Sequence, residues 1–380
     1  MNVLIVTDIR LTFEDNHVML QEQFFHIFER YYKYFGKVTV YCGCEKCETN
    51  ARMIDGSNLI NKCLIYHNLL SVVFGKDKKM LSKAIKESDL IIGRFHSFSA
   101  VVAASLCRKY KKTFMAEVMG DAWDGYWNHG LIGKLVAPWI FLKTKKAVKY
   151  ADYALYVTEH FLQSRYPCNG KSIHASNVKL QNVSNDVLTE RLKKIDAFDK
   201  KNISIMTSAN VDVRAKGHKY VIQSISTLRK KGINVTYYIA GGGDNAFLKN
   251  VAKKNKVLDS VIFLGRLSAD DVIKQIDSVD FYIQPSLQEG VPRAVIEAMS
   301  RGCVCLGART GGIPELIKPE FIFNRKSSKS IASVLCTALN TDLKAISIHY
   351  FEKSKEFLSN TLDKRRDVFF ETIISETSNL

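Results

Sequence analysis

The second half of the chain repeats one pattern six times, a short β-branched or aromatic run followed by a helical stretch. The runs are 203–209 (ISIMTSA), 235–240 (VTYYIA), 260–264 (SVIFL), 280–284 (DFYIQ), 303–307 (CVCLG) and 320–323 (EFIF). The helical stretches are 217–231, 245–256, 269–277, 292–301, 312–318 and 328–340. Strands alternating with helices of this length predict β-α-β units, hence a parallel sheet with helices on both faces. Ligands of such sheets bind beyond the carboxyl ends of the strands.

The first half follows the same grammar less cleanly. Strands are expected at 2–7, 37–42, 89–92, 113–118, 153–157 and 172–175, with helices at 18–35 and 98–110. The polar stretch 180–202 reads as a linker. The segment 348–374 reads as a charged helix with Phe351, Phe357, Leu358, Phe369 and Phe370 to bury and no strand after it. It is expected to cross back onto the first domain. The 380 residues thus divide into two doubly wound α/β domains, 1–185 completed by 360–380, and 186–359.

Charge narrows the partners. The net charge is +17, and residues 76–149 hold 15 Lys or Arg against 6 Asp or Glu, together with all three tryptophans. Such an excess attracts polyanions. Basic residues beside Trp in 131–150 (LIGKLVAPWIFLKTKKAVKY) suit an anionic membrane surface. A core helix with a solvated basic end is the other reading of this segment, whose apolar run Pro138 interrupts. No apolar run reaches the ~18 residues of a membrane span. The first residues, MNVLIVTDIR, have no basic region ahead of the apolar run and no cleavage site, so they read as a buried strand. A cytoplasmic chain is expected. Cys42, Cys44 and Cys47 cluster in YCGCEKC, but a zinc site needs a fourth ligand, and Cys63 and His67 are weak candidates. No metal is expected.

The stretch QPSLQEGVPRAVIEAM (284–299) places Glu289 just before a predicted helix start and Glu297 two turns into it. A helix start gathers unpaired N–H groups and favours anions. Two carboxylates around it read as serving a ligand, or more plainly as a capping glutamate and a surface glutamate.

The longer string 285–317 (PSLQEGVPRAVIEAMSRGCVCLGARTGGIPELI) resembles the donor-site signature of glycosyltransferase family 4, also called group 1. YIAGGGD (238–244), FLGRLSADDV (263–272) and ASNV (175–178) resemble the same family. The likeness covers the second domain well and the first in outline. It implies the GT-B fold, two Rossmann-like domains facing across a cleft. It also implies retaining transfer of a sugar from a nucleoside-diphosphate sugar, with neither metal nor cofactor. Glu289 would then hold the donor sugar hydroxyls and Glu297 the ribose. Gly290, Val291 and Pro292, with the helix start, would hold the diphosphate. Lys216 of RAKGHKYV matches the family's Lys-Gly and would pair with phosphate. Ala209 and Asn210 stand where the family often has Arg, and Arg214 is the substitute at hand. Asn210, Arg266 and Leu267 complete the implied donor contacts.

The first domain departs further from the family. TDIRLTFEDNH (7–17) has no glycine where a Gly-rich loop is common, and Met119 stands where a catalytic-site His is common. Asp121 is the candidate to orient or deprotonate an acceptor hydroxyl, with a helix N-cap as the alternative. Arg94, His96 and Trp123 are the other acceptor-side candidates. EVMGDAWDGYWNHG (117–130) and YVTEHFLQSRYP (156–167) are similar to members that build surface polysaccharides. A lipid-linked saccharide acceptor and a peripheral position on the inner membrane face are therefore expected. A sugar-nucleotide epimerase, a phosphorylase, a catalytically impaired donor binder and a nucleic-acid-binding protein are the alternatives. The last leaves 285–317 unexplained, and no nucleic-acid partner is expected.

Overall fold

A computed structural model describes residues 1–15, 17–45, 53–128 and 130–378. The chain forms two units, Met1–Ala175 with Lys364 onward, and Ser176–Asp363. The first unit ends ahead of the expected boundary at 185. Each unit is built on its own largely parallel sheet.

In the first unit the strands are β1 (Val3–Glu14), β2 (His17–Gln21), β3 (Val38–Cys44), β4 (Met53–Asp55) and β5 (Ile60–Ile65). They continue with β6 (Leu90–Phe95), β7 (Thr113–Val118), β8 (Tyr153–Tyr156) and β9 (Lys171–His174). β1 pairs in parallel with β3 on one side and β6 on the other, and β7, β8 and β9 follow outward from β6. The stretch 7–14, expected as a loop, extends β1. Its far end turns into an antiparallel pairing with β2, Thr12 opposite Met19, and β2 pairs in turn with β4. The predicted helix 18–35 therefore loses its first turn to a strand and runs Glu22–Phe35. β5 was not expected, because its alternation is masked by polar residues at Asn61 and Lys62. Cys47 lies outside the described residues; Cys42 and Cys63 sit on neighbouring strands as free thiols.

The helix Ser359–Ser378 completes this unit from Lys364 onward. Phe370 packs against Tyr34 and Phe35 at ring distances of 4.6 and 5.4 Å, and Phe369 meets Tyr153. These rings are what the charged helix has to bury.

In the second unit the strands are β10 (Asn202–Ser208), β11 (Asn234–Ala240), β12 (Val261–Gly265), β13 (Phe281–Gln284), β14 (Val304–Ala308) and β15 (Ile322–Phe323). All pair in parallel in the order β12-β11-β10-β13-β14-β15. Sheet residues Ile205, Tyr237, Phe281 and Leu306 are fully buried, as are Ile225 and Val295 of the covering helices. The strand order reverses between β10 and β13, which opens a crevice at their carboxyl ends. The stretch 180–202 is not a linker. It contains the helix Asn185–Asp196, capped by Ser184 and anchored by buried Arg191, whose guanidinium donates to the carbonyls of Ile276, Val279 and Arg301. One buried arginine satisfying three carbonyls makes a polar helix integral to the unit.

Candidate functional site

The reversal point in the second unit is where the sequence placed its carboxylates. Past β13 the chain runs through buried Ser286, and Leu287 N–H donates to the Ala215 carbonyl at 2.7 Å. Ala215 lies in a single 3₁₀ turn, Arg214–Lys216, that follows β10. Gly217 closes this turn at φ +77°, and a Cβ there would fall 2.0 Å from the Pro285 carbonyl oxygen. Only glycine allows that backbone sign and that approach together. The two loops are thereby pinned, and Lys216 Nζ stands 2.8 Å from Glu289 Oε1.

A buried relay sets the Glu289 carboxylate from behind. Tyr282 OH donates to Gln284 Oε1 at 3.0 Å, and Gln284 Nε2 donates to Ser286 Oγ at 2.8 Å and Glu289 Oε1 at 3.2 Å. Glu289 Oε1 thus accepts from both a cation, Lys216, and an amide, Gln284. Gln284 and Tyr282 were not among the sequence candidates. The available signal was a buried-strand sequence, FYIQ, that ends in an amide at the ligand side of the sheet.

After Glu289 comes the turn Gly290-Val291-Pro292, then the helix Arg293–Ser300, which has Pro292 at its N-cap and no side-chain cap among the described residues. Its first N–H groups have no partner within the helix. Gly312 N–H donates to the Gly290 carbonyl at 2.8 Å, and Gly311 (φ +55°) leaves no room for a Cβ, which would lie 1.9 Å from the Glu289 carbonyl oxygen. The two halves of the sequence motif, Glu-Gly and Gly-Gly-Ile-Pro-Glu, are therefore one packed object. Glu297 is partly buried on this helix. Burial raises its pKa, and the nearby Arg293 charge opposes the rise only in part.

Of the remaining donor candidates, Asn210 and Arg266 are exposed and Leu267 is half-buried against the core. Arg214 lies with its guanidinium carbon 3.3 Å from the centre of the Phe247 ring, a cation–π stack. Phe247 was not singled out by sequence. Beneath Lys216, buried His218 shares a hydrogen bond of 2.9 Å with Tyr237 OH. Burial is the main cause that brings its pKa down to about 4, so the imidazole adds no charge at neutral pH.

In the first unit two expectations need correction. Arg94 does not face an acceptor. It is wholly buried, with Nε 2.5 Å from Glu117 Oε2, in a cluster where Arg30 and Tyr31 also donate to Glu117. Asp121 is not free to take a proton from an acceptor. It is 4% exposed and accepts from Trp123 N–H as the cap of the helix Ala122–Trp127. Tyr166 OH also donates to it, and Arg165 pairs with its other oxygen at 3.0 Å. Both carboxylate oxygens are spoken for, which is what the N-cap alternative requires. His96 and Trp123 remain near the carboxyl ends of β6 and β7. The His96 ring is wedged against Gly120 and Gly125, where a Cβ on Gly125 would lie 2.9 Å from the ring. Trp123 stacks on Trp127 at 5.1 Å.

Comparison with known proteins places this geometry. Residues 189–354 match the family model described as glycosyl transferases group 1. Protein CapJ of Staphylococcus aureus is 34% identical over 354 residues, 88% of this chain and 85% of CapJ. The amylovoran biosynthesis glycosyltransferase AmsK of Erwinia amylovora is 32% identical over 110 residues, 27% of each chain. The structure of Anabaena HepE in complex with UDP superposes with a TM-score of 0.66, covering 98% of this chain and all of HepE at 14% identity. The two Rossmann-like units are those of the GT-B fold. The chain belongs to the group 1 glycosyl transferases.

Proposed function

We propose that this glycosyltransferase takes its sugar from a nucleoside-diphosphate sugar, with UDP the first candidate, and transfers it with retention of anomeric configuration. The observation that carries the reading is the Lys216–Glu289 pair, 2.8 Å apart at the sheet's reversal point and next to an uncapped helix start. Without a ligand each charge compensates the other. An incoming diphosphate competes for the ammonium, which binds phosphate as a point charge. Glu289 is then released toward the donor sugar hydroxyls while Gln284 keeps it oriented. The N–H groups at the start of Arg293–Ser300 take the diphosphate oxygens. Glu297 accepts the ribose hydroxyls. Negative charge grows on the diphosphate as the glycosidic bond breaks, and Lys216 with the helix start offsets it without a metal ion. The acceptor hydroxyl attacks from the face the diphosphate leaves and passes its proton to an oxygen of the departing diphosphate.

The acceptor we propose is a lipid-linked saccharide in the assembly of a surface polysaccharide. A relative named for amylovoran biosynthesis supports this reading. Bound UDP in the similarly folded HepE supports the choice of base.

The test is thermal unfolding with UDP, GDP, ADP and CMP, with Lys216→Ala and Glu297→Ala alongside. A ligand at 100 times its Kd adds about 2.7 kcal/mol to apparent stability. One nucleoside diphosphate should raise Tm in the parent protein, with smaller shifts in both variants. No shift with any diphosphate at millimolar concentration would sink the donor-site reading.

A further inference from the structure

The helix Gly130–Lys149 of the first unit is inverted relative to an ordinary surface helix. Small or branched residues Gly133, Ala137, Ile140, Thr144 and Val148 face the core. The opposite face carries Leu131, Leu135, Trp139 and Leu142, one turn apart, with Ile132 beside them. Leu131, Ile132 and Leu135 are 80%, 78% and 82% exposed. Lys134 and Lys145 flank this stripe on one side, Lys143 and Lys146 on the other, all exposed. The short helix Leu69–Phe74 adds exposed Leu70 and Phe74, followed by Lys76 and Lys79.

Beside the stripe runs a groove of about 790 Å³ between Gly130–Lys149 and the helix Phe98–Tyr110. Its floor is apolar, formed by Val73, Val101, Val102, Phe114 and Trp139, with Phe98 packed on Trp139 at 5.7 Å. Its rim is cationic. Seven Lys or Arg line it, against one acid among the described residues, Asp152. That carboxylate already accepts from Phe114 N–H at 2.8 Å. A long apolar floor under a ring of cations fits one class of ligand, an anionic amphiphile.

We propose that this groove holds an anionic membrane lipid, with an acyl chain on the Val101–Val102–Trp139 floor and the phosphate among Arg108, Lys112 and Lys146. The exposed leucine stripe and Phe74 then enter the headgroup layer of an anionic bilayer. Apolar insertion and attraction of lysines to anionic lipid act together in this kind of docking. Charge complementarity decides for lipid over a second copy of the chain, since two copies would bring their lysine rims together. The inference stands on the first unit alone and is independent of the donor-site reading.

The test is sedimentation with phosphatidylcholine vesicles, pure or with one-third phosphatidylglycerol, at low salt. The protein should pellet only with the anionic vesicles. Lys143→Glu/Lys146→Glu and Leu131→Ser/Leu135→Ser/Leu142→Ser should each weaken binding by at least about tenfold. All five positions are exposed, and unfolding curves check that both variants fold. Phosphatidylglycerol with brominated acyl chains reports docking through Trp139, which stripe and groove share, and Val102, which lines only the groove, separates groove from surface. In a Trp123→Phe/Trp127→Phe background it should quench Trp139, and Val102→Trp in the floor should abolish retention of the lipid. Failure to pellet, pelleting indifferent to both charge and leucine variants, or binding without Trp139 quenching each overturns the proposal. A stable dimer by mass that ignores vesicles would assign the stripe to a second copy instead.

Discussion

Lys216 Nζ and Glu289 Oε1 lie 2.8 Å apart although the two residues are 73 positions apart in sequence. The contact exists because Gly217 lets the loop after β10 touch the loop after β13. With side chains 31% and 13% exposed, the pair contributes at most about 1 kcal/mol to stability. Its value is therefore to be looked for in catalysis. Glu289→Gln and Lys216→Ala should each lower sugar transfer by about 10²–10³-fold and move Tm little. Transfer kinetics beside unfolding curves check this, and an activity loss matched by unfolding would refute it.

Two glycines with the same backbone sign make a second comparison. Gly232 (φ +76°) has open space where a Cβ would go, whereas a Cβ on Gly311 (φ +55°) would sit 1.9 Å from the Glu289 carbonyl oxygen. Gly232→Ala should cost about 1 kcal/mol from the left-handed backbone alone. Gly311→Ala should cost more and should also depress transfer, because relief of the clash displaces Glu289. Urea unfolding and transfer rates on both variants test it. Equal behaviour would mean that the two motif halves are not mechanically joined.

Glu117 pairs with the buried guanidinium groups of Arg94 and Arg30 at 2.5 and 2.9 Å. Burial by itself would raise its pKa. The charges of Arg94 and Arg30, with hydrogen bonds from Tyr31 and Arg94, outweigh that and hold it at about 2. A folded-state pKa below the unfolded one gives stability that is present above the ordinary carboxylate range and is lost as pH falls toward 2. Glu117→Ala should destabilise by about 3–5 kcal/mol, since it removes the carboxylate paired with the buried Arg94 guanidinium. It should also flatten the acid limb of the stability–pH curve. A loss under 1 kcal/mol would show that the cluster tolerates an unpaired cation.

The second unit was legible in sequence because its inner strands β13 and β14 are buried on both faces and its turn chemistry is explicit. All six strands fall where the apolar runs stand, and the donor motif marks the reversal point. The first unit was harder to read for identifiable reasons. The 7–14 stretch looks like a loop, and its pairing with β3 at Arg10 and Leu11 and with β2 from Thr12 to Glu14 makes it a strand. In the second unit the exception is the polar stretch 180–202, which Arg191 turns into an anchored helix through contacts with residues 85 to 110 positions away. Arg94 and Asp121 stand at strand ends, where ligands usually bind, and sequence alone could not show that Glu117, Arg165 and Tyr166 already occupy them. The Gln284 relay was missed because a buried glutamine leaves no pattern until its partners are in place.

Glu297 supplies a prediction with opposite signs in two conditions. Burial raises its pKa against the weaker pull of Arg293. A carboxyl with a raised folded-state pKa binds its proton more tightly when folded, so stability falls as pH rises from the ordinary glutamate range through the raised value. Above that window the folded protein carries a poorly solvated charge. Glu297→Gln removes the charge and keeps the shape. The variant without ligand should therefore be more stable than the parent at neutral pH, and equal to it in acid. With UDP present the order should reverse, because a carboxylate accepts two ribose hydroxyls and an amide accepts through one oxygen only. Unfolding curves between pH 4 and pH 8, with and without UDP, test both halves. If Glu297→Gln is less stable than the parent at neutral pH without ligand, the carboxylate belongs to the fold; if its UDP shift equals the parent's, the ribose assignment falls.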